Sequence, residues 1–461
     1  MKDDLGPNSG CAKDGVNVLL RKIQHNKSEQ FQGFFNEWRE LFQQVSSTGP
    51  LNKNILKELT KLYSLNLTLN RTEILFAIHT YIAIIIKFIA SEILYQLRQP
   101  DTEAHLPNIL QKSSSEFRSY LETLEKGEFF RQLGLDHFLE GTECFSWYLH
   151  EWDEALEKWL RLCLEVLSQY LFGPRPQKGR INDLFRNLYQ KMITTALRRE
   201  LGEVYTPKWL AEFIIEDIGY DGDIKKKVLD PACGSGTFLI HLIEKVRTWL
   251  QLQEKKLSDF EFQRSIVGFD LNPLAVLAAR TNYLWAISDL IEPSLTLSIP
   301  VFVADSIATD DRRKNSVPPL FYNHFDYIIG NPPWINWEYL PESYKEKYMK
   351  LWQDYRLFPS KGWKGKLGYG KYDISAVFVY ICMDLYLKNH GMLEFLVTQT
   401  LLRGIPGRGF RQYEIINETK NKAPIKLGLK KVHDLTQFQP FKDIINRTAI
   451  VQLIKNETTV Y

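Results

Sequence analysis

Four short stretches bring together residue types that can do chemistry. The first is Asp230-Pro231-Ala232-Cys233-Gly234-Ser235-Gly236-Thr237. A Gly-x-Gly turn lets a ligand approach the backbone, and a helix opening behind it offers free N–H groups. No Lys follows the glycines, so this is not a nucleotide-triphosphate loop. An acid just ahead of the turn suits a cationic or hydroxyl-rich ligand better than a pyrophosphate. The second and third stretches are Gly268-Phe269-Asp270-Leu271-Asn272-Pro273 and Val303-Ala304-Asp305-Ser306. Each sets a carboxylate at the end of a short apolar run, where doubly wound sheets hold ribose hydroxyls. One such Asp is commonly only a helix N-cap. Three in succession point to a ligand.

The fourth stretch is Tyr327-Ile328-Ile329-Gly330-Asn331-Pro332-Pro333-Trp334. Two prolines cannot continue a central strand, and they stiffen the turn. The Asn331 side chain and a proline carbonyl are two acceptors that can converge on one donor. An exocyclic amine with two hydrogens is a matching donor. The Trp334 indole offers a stacking face for a flat ring. Cys233 lies in the glycine loop and reads as a packing residue rather than a nucleophile, and no Pro-Cys pair stands at the fourth strand.

Asp-Pro-Ala-Cys-Gly-Ser-Gly at 230–236, followed by Asn-Pro-Pro-Trp at 331–334, resembles the S-adenosylmethionine-dependent DNA methyltransferases that methylate amino groups. The motif order is that of their gamma class. Gly202-Glu203-Val204-Tyr205-Thr206-Pro207 ahead of the glycine loop is similar to a motif of the N6-adenine enzymes in that class. Lys371-Tyr372-Asp373-Ile374-Ser375 resembles the family's next motif, and Asn446 to Val451 its late strand. The resemblance covers roughly 181–455. It implies a Rossmann-like α/β sheet, S-adenosylmethionine as cofactor, double-stranded DNA as substrate, and a place in restriction–modification or phage defence. By the same resemblance Tyr205, Thr206 and Pro207 would lie at the methionine part of the cofactor. Asp230, Ala232, Gly234 and Gly236 would hold its amino-acid end, Asp270 its ribose and Asp305 its adenine. Asn331, Pro332, Pro333 and Trp334 would hold a flipped adenine. Family members carry a target-recognition domain or borrow one from a specificity subunit. None is visible before Tyr461, so a shortened chain or a specificity or restriction partner is expected. Two alternatives stay open: a methyltransferase acting on RNA or protein glutamine, and a catalytically incomplete remnant or subunit.

The elements that must position these residues follow from hydrophobic period. After residue 202, short apolar runs (Val228-Leu229, Ile266–Phe269, Val301–Val303, Tyr327–Ile329, Leu393–Val397, Ala449–Ile454) alternate with amphipathic segments such as Thr237–Leu252 and Leu274–Ile291. That rhythm predicts an open, mostly parallel α/β sheet over 202–461, with ligands at the carboxyl ends of its strands. Residues 1–172 show three- and four-residue periods in Phe31–Val45, Ile55–Leu67, Glu73–Leu97 and Trp152–Leu171, an all-α N-terminal domain. Residues 173–201 read as a Pro/Gly-rich linker and a connecting helix from Asn182 to Glu200. Over 1–172, no Asp or Glu is followed two residues later by Lys, which argues against a nuclease core there. A looser resemblance to helical domains of large phage-defence methylases runs through Phe76–Leu94 and Leu188–Pro207.

Composition narrows the classes further. The net charge is only +3, but 340–461 hold 20 Lys and Arg against 11 Asp and Glu, while 1–172 hold 18 against 23. The basic excess includes Lys361, Lys364, Lys366 and Lys371, interleaved with Trp363, Tyr369 and four glycines. A second basic stretch contains Arg403, Arg408 and Arg411. Cationic, aromatic loops of this kind suit phosphates and bases. Five cysteines with no Cys-x-x-Cys pair support neither a disulfide framework nor a zinc site, and no metal is expected. A reduced, cytoplasmic setting fits, and Met1-Lys2-Asp3-Asp4 opens no signal peptide. The most apolar stretch, Ile74–Ile86, falls short of the roughly 20 residues a membrane span needs. It is expected to be a buried helix.

Overall fold

The computed structural model describes residues 3–45, 53–65, 70–170, 185, 191–193, 205–254, 264–292, 294–308, 316–358, 372–416, 423–441 and 446–459. Most of the 173–201 linker therefore lies outside the described residues.

The N-terminal region is helical, with α1 (Gly10–His25), α2 (Glu29–Val45), α3 (Lys53–Tyr63), α4 (Arg71–Arg98), α5 (His105–Leu110), α6 (Ser114–Glu125), α7 (Glu128–Gln132) and α8 (Glu154–Ser168). Side-chain caps start several of these helices by taking up their first orphan N–H groups. Ser9 accepts from Ala12, Asn70 accepts from Thr72, and Ser113 with Glu116 closes a reciprocal capping box. The α4 helix is apolar on every side and buried along its length; it is long and apolar enough to cross a membrane, but it is the core of the helical region. It extends three residues before and twelve residues after the Ile74–Ile86 stretch that hydrophobicity alone marks. The α1 helix was not marked by period, although its Val16, Leu19, Leu20 and Ile23 face the same core.

The second half forms an eight-stranded sheet: β1 (Val228–Asp230), β2 (Ile266–Asp270), β3 (Val301–Val303), β4 (Phe325–Gly330), β5 (Leu387–Thr398), β6 (Glu414–Ile415), β7 (Ile425–Asp434) and β8 (Thr448–Lys455). The spatial order is β3-β2-β1-β4-β5-β8-β7-β6. Strands β3 to β5 in that order pair in parallel, and β8 then runs antiparallel to both β5 and β7. The first strands are continuous buried runs, as a parallel sheet covered on both faces requires. Helices α9 (Lys208–Asp217), α10 (Thr237–Leu252), α11 (Pro273–Ile287), α12 (Glu342–Asp354) and α13 (Ser375–Ile381) complete this half. The strand order reverses between β1 and β4, the switch point at which open α/β sheets bind ligands.

The helical region closes onto the β3 edge of this sheet. Helix α4 packs along α11. The buried Arg280 guanidinium of α11 donates to the carbonyls of Val301, Phe138 and Glu140, at 2.8 Å each. Leu135 and Asp136 pair in parallel with Leu297 and Ser298. The apolar core accordingly runs from α1 through α4 to α10 and α11.

Candidate functional site

At the end of β1 the chain turns through Gly234 (φ +54°) and Gly236 (φ +88°), left-handed conformations that favour glycine, and enters α10. The turn is tied down from three sides. The Gly234 N–H donates to Asp270 Oδ2 at 2.9 Å, the Asn282 amide donates to the Ser235 carbonyl at 2.9 Å, and the Ser306 hydroxyl donates to the Pro231 carbonyl at 2.5 Å. A Cβ on Gly330, at the end of β4, would sit 2.7 Å from Asp230 Oδ1. Any larger residue there would displace the Asp230 carboxylate, so glycine lets the fourth strand end lie against it.

Asp230, Asp270, Asp305 and Asn331 all line one cavity at the carboxyl ends of β1 to β4. Tyr205, Thr206, Ala232, Gly234 and Pro333 line it as well. Pro207, Gly236, Pro332 and Trp334 adjoin it without lining it. Pro207 caps α9 and Gly236 caps α10. The Trp334 indole N–H donates to the Leu396 carbonyl at 3.3 Å, and its ring meets Phe441 edge-on at 5.1 Å. This ring is anchored to β5.

The electrostatics of the three carboxylates differ. Asp230 is 1% exposed, and burial, with the negative Asp270 nearby, pushes its carboxyl up to about 8. The Ala232 N–H, at 3.1 Å, opposes that shift. Burial also raises Asp270, against the pull of the Asn272 and Gly234 amides. Among the described residues, neither has a cation within 4 Å. Asp305 has one: Lys347 Nζ lies 3.1 Å from its Oδ2, to which the Tyr348 hydroxyl also donates. The Cys233 thiol is buried and raised by that burial, which is unsuited to a nucleophile. Among the described residues no His, Cys, Asp and Glu cluster could hold a metal.

Several lining residues gave no sequence signal. Ile82 and Ile86 of α4, and Phe185, form an apolar wall contributed from outside the sheet. Ile82 and Ile86 stand one helical turn apart, but α4 is apolar all round, so no face stood out. Tyr344, Ile374 and Phe378 line the cavity as well. The Asp373 carboxylate accepts from the Ser375 N–H and hydroxyl and from the Thr398 hydroxyl, which ties Asp373 and Ser375 to β5.

The basic loops divide. Lys361, Lys364, Lys366 and Lys371 lie outside the described residues. In the second stretch, Arg403 and Arg408 are exposed, with Arg403 paired to Asp434 at 3.2 Å. Arg411 is turned inward, donating to the Leu401 and Gly404 carbonyls. A Cβ on Gly407 or Gly409 would fall 2.1 or 2.4 Å from a backbone carbonyl, so these glycines serve close packing.

Residues 180–364 match the model of the family described as N-6 DNA Methylase. Over 235 residues, 51% of this chain, the sequence is 27% identical to the type I restriction enzyme MjaVII methylase subunit of Methanocaldococcus jannaschii, covering 35% of that protein. Over 275 residues, 58% of the chain, it is 21% identical to the type II methyltransferase M.BstVI of Geobacillus stearothermophilus, covering 44% of that protein. The chain thus spans less than half the length of either relative. Among solved structures, the ATP-dependent type ISP restriction-modification enzyme LlaBIII bound to DNA superposes with a TM-score of 0.49 at 14% identity, over 100% of this chain and 28% of that one. The match to the N-6 DNA Methylase model is confined to residues 180–364, and the two curated relatives that the chain resembles are a methylase subunit and a methyltransferase.

Proposed function

We propose that the chain transfers a methyl group from S-adenosylmethionine to the exocyclic N6 of an adenine flipped out of double-stranded DNA, within a restriction–modification or phage-defence system. The observation that carries this reading is the convergence of Asp230, Asp270, Asp305 and Asn331 on one cavity. The donor set fits the cofactor. Two carboxylates that no cation meets among the described residues suit an ammonium and a ribose diol, and the glycines at 234 and 236 put no side chain in the way of close approach to the turn. Asp230, Ala232, Gly234 and Gly236 would hold the amino-acid end, with Tyr205, Thr206 and Pro207 beside the methionine chain. Asp270 would hold the ribose and Asp305 the adenine.

The bound sulfonium supplies a methyl group that carries its own activation, so the protein needs no covalent intermediate. What remains for the chain is alignment and electrostatics. Extrusion of the base from the duplex costs a few kcal/mol. The Asn331 side-chain oxygen and the Pro332 carbonyl then accept the two amine hydrogens and turn the nitrogen lone pair toward the methyl. Pro333 keeps the turn rigid, and Trp334, held at Leu396, offers its ring to the base. Arg403 and Arg408, with the lysines of 361–371, are assigned to backbone phosphates. A specificity or restriction subunit is the expected partner, since one relative is itself a methylase subunit of a type I enzyme.

Labelled cofactor incubated with plasmid DNA, total RNA and protein extract tests the reading. Label in N6-methyladenine of DNA supports it, and label confined to RNA or protein overturns it. Cofactor binding with no transfer shows a chain that requires its partner. Asn331→Ala is expected to lower transfer at least about 100-fold with cofactor affinity nearly unchanged. A large loss of binding would mean the residue is misassigned.

A further inference from the structure

The three strand-end carboxylates are not held in the same way. Asp230 and Asp270 take their hydrogen bonds from backbone amides of the neighbouring loops. Asp305 is held from outside the sheet, by two side chains of α12. The Tyr348 hydroxyl donates to Asp305 Oδ2, and Lys347 Nζ lies 3.1 Å from the same oxygen. Asp305 Oδ1 accepts a longer bond, 3.3 Å, from the Ile307 N–H. Tyr348 is buried, with its ring 4.4 Å from that of Tyr344, and the Lys347 ammonium lies 4.6 Å over the Tyr348 ring. Tyr344 and Asp305 line the cavity, whereas Lys347 and Tyr348 do not.

Two donors on Oδ2 saturate that oxygen and fix the rotation of the carboxylate. Oδ1 is then the oxygen with accepting capacity to spare. An acceptor in a fixed direction discriminates between purines. A 6-amino group donates to it, whereas a 6-oxo group meets it lone pair to lone pair. We propose that Tyr348 and Lys347 are positioning residues that orient Asp305 to select a cofactor with a 6-aminopurine, so that α12 sets cofactor specificity. This rests on the assignment of the cavity to S-adenosylmethionine.

Calorimetric titration of the full chain with S-adenosylhomocysteine and with S-inosylhomocysteine separates the two ideas. Tyr348→Phe keeps the ring and removes the hydroxyl. Affinity for the adenosyl compound is expected to fall about tenfold, with the inosyl compound changed less than about twofold. Lys347→Met, at a partly exposed position, is the second variant should the first not fold, and is expected to lose about threefold in the same selective way. Equal weakening of both compounds would show that α12 is merely being held in place, and unchanged adenosyl affinity would show that Asp305 needs no steering. Either result overturns the proposal. Failure of the unmutated chain to bind either compound would instead remove the cofactor assignment itself.

Discussion

Two regions of this protein bury charge, and they do so differently. In the helical region, Lys87 of α4 and Glu125 of α6 are both almost fully buried and meet as an ion pair, and the Tyr148 hydroxyl donates to the other Glu125 oxygen at 2.7 Å. That charge pair is complete. At the strand ends, Asp230 is as deeply buried, yet among the described residues its carboxylate takes a hydrogen bond from the Ala232 amide and meets no cation. A buried carboxylate without a counter-charge is costly, and here its carboxyl is pushed up to about 8 in consequence. The difference separates structure from function: a completed pair holds elements together, while an incomplete one beside a cavity leaves room for a cationic ligand. Location matters as much as the shift. Glu394 is also raised to about 8 by burial, but it lies between strands with the Gln452 amide at 2.6 Å and does not line the cavity.

The contrast can be broken most forcefully on its structural side. Glu125→Ala would strand Lys87 in the core, and urea denaturation should show a loss of about 3–5 kcal/mol. The paired replacement Lys87→Met with Glu125→Leu should recover most of it. A single-variant loss below about 1 kcal/mol would mean that the pair is not structural.

Asp230→Asn tests the other side. Replacement of a buried carboxyl that no described cation faces should leave the ligand-free protein as stable as before or more so, while S-adenosylhomocysteine affinity falls by about 1.5–3 kcal/mol. The pH dependence has a definite sign. The folded carboxyl at about 8 lies above its unfolded value, so its contribution to ligand-free stability is full below about pH 4. That contribution is lost as pH rises through about 8. A cationic ligand favours the ionised form, so the increase in melting temperature on ligand binding should widen from pH 6 to pH 9. Asp230→Asn should flatten that widening. A ligand-induced increase that is independent of pH in the unmutated protein would refute the counter-charge role.

The smallest effect is expected at the apolar wall. Ile86→Val should cost about 0.5–1.5 kcal/mol of stability, read by denaturant melt, with little change in ligand affinity. A loss of affinity exceeding the loss of stability would show that α4 shapes the cofactor site and does more than close it.

Much of the site was legible because each motif is contiguous. Asp230, Asp270, Asp305 and Asn331 each follow a short apolar run, and a parallel strand followed by a tight turn places such a residue at the sheet's carboxyl edge whatever the remaining packing. The positions of β1 to β4 followed from the same runs. The far half of the sheet was less legible. Strand β7 carries Lys426, Lys430 and Lys431 among few apolar residues, and its pairing with β8 shifts register at Gln452/Leu453. Its existence depends on the neighbour it pairs with. Arg411 belonged by composition to a basic surface, and the fold spends it on two loop carbonyls.

Local residue order was thus enough to specify the α/β class and the place of Asp230, Asp270, Asp305 and Asn331 at the strand ends, because turns are settled within a few residues. The tertiary structure alone decided which face of α4 closes the cavity, that Arg280 joins α11 to residues 138 and 140, and that Lys347 and Tyr348 reach Asp305. An all-apolar helix, or a cation some 40 to 140 residues from its acceptor, has no preferred partner until burial and hydrogen-bond satisfaction choose one.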